Sequence, residues 1–395
     1  MKVMKIGADP QGSDSAAHLN EVYSLLPFTP VRGQGVYLED AAGRRVLDFY
    51  GGHAVAALGY GHPKLSETLA RASRELVFQT NALPLRVRDE AAEALAAFGP
   101  PGLDKVFFIN SGAEANENAL RLALKLTGRA KIVAMEQSFH GRTAAASAVT
   151  WGAKESWYGF PRTPFDVQFV PRNDIAALNA AVDSSTAGVI VEPVQGLAGA
   201  FDFAPEFLHA ARAACDRAGA LLILDEVQTG MGRLGEPFGA QLYKVRPDLL
   251  TVAKGLGGGF PCGAVLLPHE IAKSLKAGAL GTTFGGGPVA CAAIKTVIEA
   301  IRSENLLANV RETHAAIRAK CVVGPVVGVQ GKGFLVGLRT RPKAAAVRDA
   351  LLDRDILTGT SADPHVLRLL PPLILTTEHV QTLAAALEDL TDAPL

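Results

Sequence analysis

Between residues 86 and 260, short apolar runs that each end in a polar residue or a glycine alternate with stretches of helical spacing. This alternation narrows the possible folds more than any other feature. Val87, Ala91, Leu95 and Phe98 recur on one helical face. Residues 105–110 then read as a buried strand, 115–127 as a second helix, and 131–135, 188–192, 221–225 and 249–253 as further buried strands. Continuous apolar strands parted by helices predict an α/β fold with a mostly parallel sheet covered on both faces. In such sheets ligands bind beyond the carboxyl ends of the strands, so the polar residues at those ends carry the functional information.

The flanks are organised differently. Residues 35–40 and 45–50 read as extended pieces parted by a turn at Ala42-Gly43, within an amino-terminal segment, 1–50, expected to pack on a smaller domain. Residues 51–287 form the expected large domain. The remainder, 288–395, forms the smaller one, with helical spacing over 288–320 and strands at 331–337 and 366–370. A chain of 395 residues accommodates such a pair of domains.

Lys plus Arg and Asp plus Glu are both 39, so no global field favours nucleic acid or an anionic membrane surface, and anion recognition must be local. Cys215, Cys262, Cys291 and Cys321 show neither a C-x-x-C pair nor histidines at ligand spacing, which predicts reduced core thiols and no metal site. The amino terminus lacks an apolar stretch long enough for a signal peptide and no run approaches a membrane span, so a cytoplasmic location is expected.

Four strand ends carry chemistry. Asn110-Ser-Gly-Ala-Glu-Ala-Asn116 joins a strand to a helix and offers backbone N–H groups and the Ser111 hydroxyl at a positive helix end, as a phosphate seat or as a simple helix cap. Asp225 and Glu226 end an aliphatic strand, where an ionised acid needs a cationic partner; a protonated pyridine nitrogen and an ordinary arginine both qualify. Lys254 ends another buried strand and is followed by glycines; a desolvated lysine becomes nucleophilic, whereas a snorkelling one stays inert. Ser138-Phe-His-Gly-Arg142 supplies Phe139 to stack on a flat ring, or to fill core, and Arg142 to grip a carboxylate. Together these meet the needs of one cofactor, pyridoxal 5'-phosphate.

The stretch 224–233 (LDEVQTGMGR) followed by 253–261 (AKGLGGGFP) resembles the signature of the class III aminotransferases, of the fold-type I pyridoxal-phosphate group, and the resemblance runs from about Gly33 to Glu388. It is nearest in pattern to the acetylornithine and ornithine aminotransferase branch. The resemblance implies that Ser111, Gly112 and Ala113 hold the phosphate, Phe139 stacks on the ring and Val227 packs on its other face. It further implies that Asp225 pairs with the ring nitrogen, Gln228 reaches the phenolic oxygen and Lys254 carries the cofactor as a Schiff base. Thr283 in Gly-Thr-Thr-Phe-Gly-Gly286 would reach the phosphate of a second subunit, which implies a homodimer with active sites at the interface. Arg142 would bind the substrate α-carboxylate, Arg368 the carboxylate of 2-oxoglutarate or glutamate, and Glu192 would support the site. The sequence departs from the branch at Leu197, where a glutamate is usual, at Phe284 for a usual tyrosine, and at Gly287 for a usual asparagine.

The resemblance implies transfer of the terminal amino group of an acylated diamino acid, N-acetylornithine foremost, to 2-oxoglutarate. Ornithine, 4-aminobutyrate, β-alanine and aminoadipate-type amines are alternative donors, because the Leu197 change leaves the donor open. Decarboxylation or an amino shift on the same cofactor is a second reading, but two arginines matched to carboxylates favour transamination. A nicotinamide-dependent dehydrogenase fails on spacing, since 254–260 is not a strand, G-x-G-x-x-G, helix unit.

Overall fold

The computed structural model describes residues 18–20 and 22–391; the polar amino-terminal stretch through residue 17 lies outside the described residues. A seven-stranded sheet runs in the order Lys105–Ile109, Gly263–Leu267, Leu249–Val252, Leu221–Asp225, Thr186–Val191, Lys131–Met135, Asp166–Val170. Only Gly263–Leu267 is antiparallel to its neighbours; the other pairings are parallel. Thr186–Val191 and Leu249–Val252 are buried throughout, because helices cover both faces and leave no solvent side for polar residues. The carboxyl ends of the parallel strands therefore meet along one edge, with Asn110, Glu136, Glu192, Asp225 and Ala253 at or just beyond them.

Local chemistry fixes where the covering helices begin. Ser111 caps Gly112–Thr127 by accepting the Glu114 N–H at 3.1 Å, and Gly128, at φ 69°, ends that helix in a left-handed turn. Pro63 and Pro288 open Pro63–Glu75 and Pro288–Ser303 at positions where their missing N–H groups cost nothing. The helical spacing over 288–320 resolves into Pro288–Ser303 and Leu306–Lys320, broken at Asn305, whose φ is 54°.

Two smaller sheets flank the large one. Val326–Lys332, Leu335–Thr340, Val366–Leu369 and Gly359–Thr360 form one; the sequence reading of a single strand over 331–337 becomes a hairpin turning at Gly333, φ 51°. The strands Pro30–Gln34, Tyr37–Asp40 and Arg45–Asp48 are completed by Ile356–Leu357, which pairs in parallel with Leu47 and Asp48. This pairing joins the two ends of the chain on one side of the cleft. Cys215, Cys262, Cys291 and Cys321 are free and buried, and burial pushes the Cys215 thiol up to about 12. Among the described residues no helix is long and apolar enough to cross a membrane.

Asp225 and Glu226 end the same strand with opposite tasks. Asp225 faces the cleft, whereas Glu226, fully buried, accepts from Thr229 Oγ1 at 2.7 Å and from the N–H groups of Gly239 and Ala240 at 2.6 Å each. Burial pushes its carboxyl up to about 7, against the pull of those donors. Glu226→Ala orphans three buried donors, at about 1–3 kcal/mol for each that stays unsatisfied. Urea unfolding should show a loss of at least about 3 kcal/mol; a loss under about 1 kcal/mol would mean that the 238–240 turn does not lean on Glu226.

Candidate active site

Two connected cavities, of about 460 and 600 Å³, open along the strand edge. The first is lined by Ser111, Gly112, Ala113, Asp225 and Val227. The second is lined by Tyr50, His53, Leu197, Thr360 and Arg368, and both share Phe139, Arg142, Glu192, Gln228 and Lys254. Every residue singled out from the sequence as a site residue lines one of them except Thr283, which is exposed outside both.

Asp225 is 3% exposed and tightly held. Its Oδ2 accepts from Asn116 Nδ2 and from His140 Nδ1, both at 2.7 Å, and its Oδ1 from the Val227 N–H at 3.0 Å. Asn116 is fixed in turn by donating to the His140 carbonyl at 2.7 Å and accepting from Thr251 Oγ1 at 2.7 Å. Among the described residues no lysine or arginine pairs with Asp225, so the ordinary arginine considered from the sequence does not occupy that role. His140 Nε2 is buried without a partner among the described residues.

Lys254 sits at φ 45°, a left-handed conformation that costs a non-glycine residue of order 1–3 kcal/mol and is held here by the short helical turn Lys254–Gly257. Its side chain lines both cavities. Burial lowers its pKa, opposed by Asp225 and Glu192 and reinforced by Arg368 and Arg233. A shift in that direction favours the neutral, nucleophilic amine.

The helix start at Gly112 is drawn flush against the wall. A Cβ at 112 would lie 2.6 Å from Val227 Cγ1, and one at 141 would lie 2.8 Å from Ala113 Cβ, so glycine is required at both for the backbone to approach. Glu192 is buried, accepts from the Phe139 N–H at 3.0 Å and the Gly196 N–H at 3.3 Å, and so ties the aromatic loop to the strand end. Burial raises its pKa, which His140 opposes and Asp225 reinforces. Arg142 lies over the Trp157 ring at 4.4 Å. Arg368 donates from Nε to the Thr360 carbonyl and from Nη2 to Tyr50 Oη, both at 2.8 Å. Leu197 is 38% exposed, with its carbonyl accepting from the Ala362 N–H at 2.8 Å.

Sequence reasoning missed Asn116, Tyr50 and the pairing of His140 with Asp225. Asn116 was signalled by its position one turn into the helix that Ser111 caps. Tyr50 meets Arg368 across 318 residues, with no local signal. The set suits a flat heterocycle with a protonated nitrogen and a phosphate: a buried carboxylate paired with no lysine or arginine among the described residues, a helix start at the cavity wall, Phe139 and Val227 lining the same cavity, and a lysine whose pKa burial lowers.

The Aminotransferase class-III family model matches residues 19–391. An acetylornithine aminotransferase of Streptomyces coelicolor is 45% identical over 368 residues, 92% of this chain and 90% of that protein. A [LysW]-aminoadipate semialdehyde/glutamate semialdehyde transaminase of Sulfolobus acidocaldarius is 35% identical over 94% of this chain and 96% of its own length. Among solved structures, an ornithine aminotransferase of Toxoplasma gondii with pyridoxal phosphate at partial occupancy in its active site superposes with a TM-score of 0.87 at 28% identity, covering 95% of this chain and 92% of that one. With the strand-edge cleft, its buried acid and its strained lysine, these likenesses identify the chain as a member of the class III aminotransferases, enzymes that work with pyridoxal 5'-phosphate.

Proposed function

We propose that this aminotransferase moves the terminal amino group of an acylated diamino acid, N-acetylornithine foremost, to 2-oxoglutarate, giving a semialdehyde and glutamate. The observation that carries the proposal is the pair of arginines, Arg142 and Arg368, lining one cavity with Lys254. A five-carbon dicarboxylate can place one carboxylate on each. An acylated diamino acid needs only Arg142 for its single α-carboxylate. The names of the Streptomyces and Sulfolobus relatives support a terminal-amine donor. A cytoplasmic place in arginine biosynthesis belongs to the same reading.

Pyridoxal phosphate, when bound, supplies an electron sink for the carbon that loses a proton next to nitrogen. The protein's residues do the rest. Ser111, Gly112 and Ala113 offer the phosphate a hydroxyl and N–H groups at the start of a sixteen-residue helix, where the peptide dipoles favour an anion. With the cofactor bound, Asp225 would hold the ring nitrogen protonated, Phe139 and Val227 would pack on the ring, and Gln228 would donate to its phenolic oxygen. Lys254 would hold the cofactor covalently between turnovers and, once released from it, would serve as the acid and base that moves the substrate proton. Glu192 orients Phe139 rather than touching substrate. The chain divides, on this reading, into a segment 1–50, a cofactor domain 51–287 and a small domain 288–395, with Arg368 of the small domain lining the cavity that Lys254 also lines.

We infer a homodimer from the apolar surface around Thr283. Val77, Phe78, Leu83 and Phe284 are 66, 41, 48 and 66% exposed, and the Phe78 and Phe284 rings stand 5.4 Å apart. Burying such a patch against a second copy removes it from water and carries Thr283 to the neighbouring subunit's phosphate.

Steady-state kcat/KM across N-acetylornithine, N-succinylornithine, ornithine, 4-aminobutyrate and β-alanine, each with 2-oxoglutarate, tests the substrate. N-acetylornithine should lead ornithine by about tenfold or more, and a lead for 4-aminobutyrate or β-alanine would contradict the assignment. Thr283→Ala should weaken cofactor retention about tenfold, the worth of one hydrogen bond to a charged group. Mixed with a Lys254→Ala subunit, it should regain one working site per dimer. An active monomer, or no regain on mixing, would contradict the shared site.

A further inference from the structure

Tyr50 holds a place in the cleft that amino transfer by itself does not require. Its hydroxyl accepts from Arg368 Nη2 at 2.8 Å, its ring centroid lies 5.7 Å from the guanidinium carbon, and Arg368 Nε is fixed on the Thr360 carbonyl at 2.8 Å. Both acceptors are uncharged. Among the described residues, Glu192 is the sole acid lining this cavity, and its oxygens already serve Phe139 and Gly196. The side chain at 197, which also lines the cavity, is aliphatic.

The placement of Tyr50 is built into the fold. Its N–H donates to Asp48 Oδ1 at 2.6 Å, and Asp48 is fully buried. A Cβ at 359 would lie 1.9 Å from Tyr50 Cε2, so Gly359 leaves room for the ring. Gly359 is also the register partner of Arg368 across the sheet, so one strand pair seats both halves of the contact. Burial pushes the phenol's pKa up, against the pull of Arg368, which keeps the group a neutral hydroxyl over the ordinary pH range.

A guanidinium presents its N–H groups in a rigid planar fork, so fixing Nε and one Nη sets the direction of the others. An acidic partner would fix the fork and also neutralise it. A phenol fixes it and leaves the charge unspent.

We infer that Tyr50 is a positioning and specificity residue for glutamate and 2-oxoglutarate, holding the Arg368 fork ready for a substrate carboxylate through an uncharged hydrogen bond in a cleft whose residue 197 is leucine. Arg368 thus stays receptive in both half-reactions, and glutamate is told from the terminal-amine donor by the second carboxylate it places there. This inference rests on the reading that Arg368 takes the 2-oxo acid.

The test uses holoenzyme in single half-reactions, followed through the cofactor's absorbance, together with the dissociation constant of glutarate, an unreactive five-carbon dicarboxylate. Tyr50→Phe keeps the ring over Gly359 and removes the acceptor. It should raise the KM for 2-oxoglutarate and weaken glutarate about tenfold, the scale of a hydrogen bond to a charged group, with kcat held within about twofold. The half-reaction with the best terminal-amine donor should stay within about twofold. Gly359→Ala should displace the ring and reproduce the loss, while Tyr50→Ala with Gly359→Ala should be no worse than Tyr50→Ala alone. Equal losses in both half-reactions, or unchanged glutarate binding in Tyr50→Phe, would overturn the role. If N-acetylornithine proves a poor donor, the substrate assignment fails alone, because glutarate and glutamate still report on Tyr50.

Discussion

A carboxylate that is 3% exposed, at the end of an aliphatic strand, governs the arrangement of the cleft. Asp225 is surrounded by three donors, Asn116, His140 and the Val227 N–H, and each comes from a different structural piece: the helix after the phosphate seat, the aromatic loop, and the turn beyond the strand itself. An ionised acid in such a place is costly unless its environment is polar and a cation faces it. The fold supplies the polar environment, and on the proposed function a protonated ring nitrogen would supply the cation. The same contacts set the distance between helix start and aromatic loop, so seating the acid also shapes the slot for the ring.

The two ends of the chain cooperate on the opposite wall. Asp48 ends the strand that pairs with Ile356–Leu357, accepts the N–H groups of Tyr50 and Gly51 and the Tyr60 hydroxyl, and thereby fixes the loop that presents Tyr50 to Arg368. Gly51 and Gly52 carry positive φ there, and a Cβ at 51 would lie 2.7 Å from the Leu370 carbonyl. The loop can pass so close to the arginine's strand only with glycine at that point. Arg142 belongs to the large sheet's edge and Arg368 to a small sheet, so the spacing of the two guanidinium groups depends on how those sheets pack.

What was legible in the sequence follows from burial. Strands covered on both faces read as unbroken apolar runs, so 105–110, 131–135, 188–192, 221–225 and 249–253 stood out, and their polar ends pointed to Ser111, Asp225 and Lys254. Asp166–Val170, at the sheet edge with alternating exposure, gave a weaker signal, and Gly263–Leu267, directly after a glycine-rich turn, escaped notice together with its antiparallel direction. Contacts such as Tyr50 with Arg368 are set by sheet packing across the length of the chain, where periodicity has nothing to say. The turn at Gly333 was hidden because its flanks, Gln330-Gly-Lys and Phe334-Leu-Val, continue one strand-like pattern.

If the charge on Asp225, rather than its shape, makes this cleft a catalyst, Asp225→Asn separates the two. The amide is nearly isosteric and can keep one accepting oxygen on His140 or Asn116, so the urea midpoint should move little while turnover with 2-oxoglutarate falls by roughly 10²-fold or more, the scale of removing a preorganised charge from a reacting system. The variant's cofactor should also wash out more readily on dialysis than that of the wild type. Turnover within a fewfold of wild type, with cofactor retained, would contradict the account.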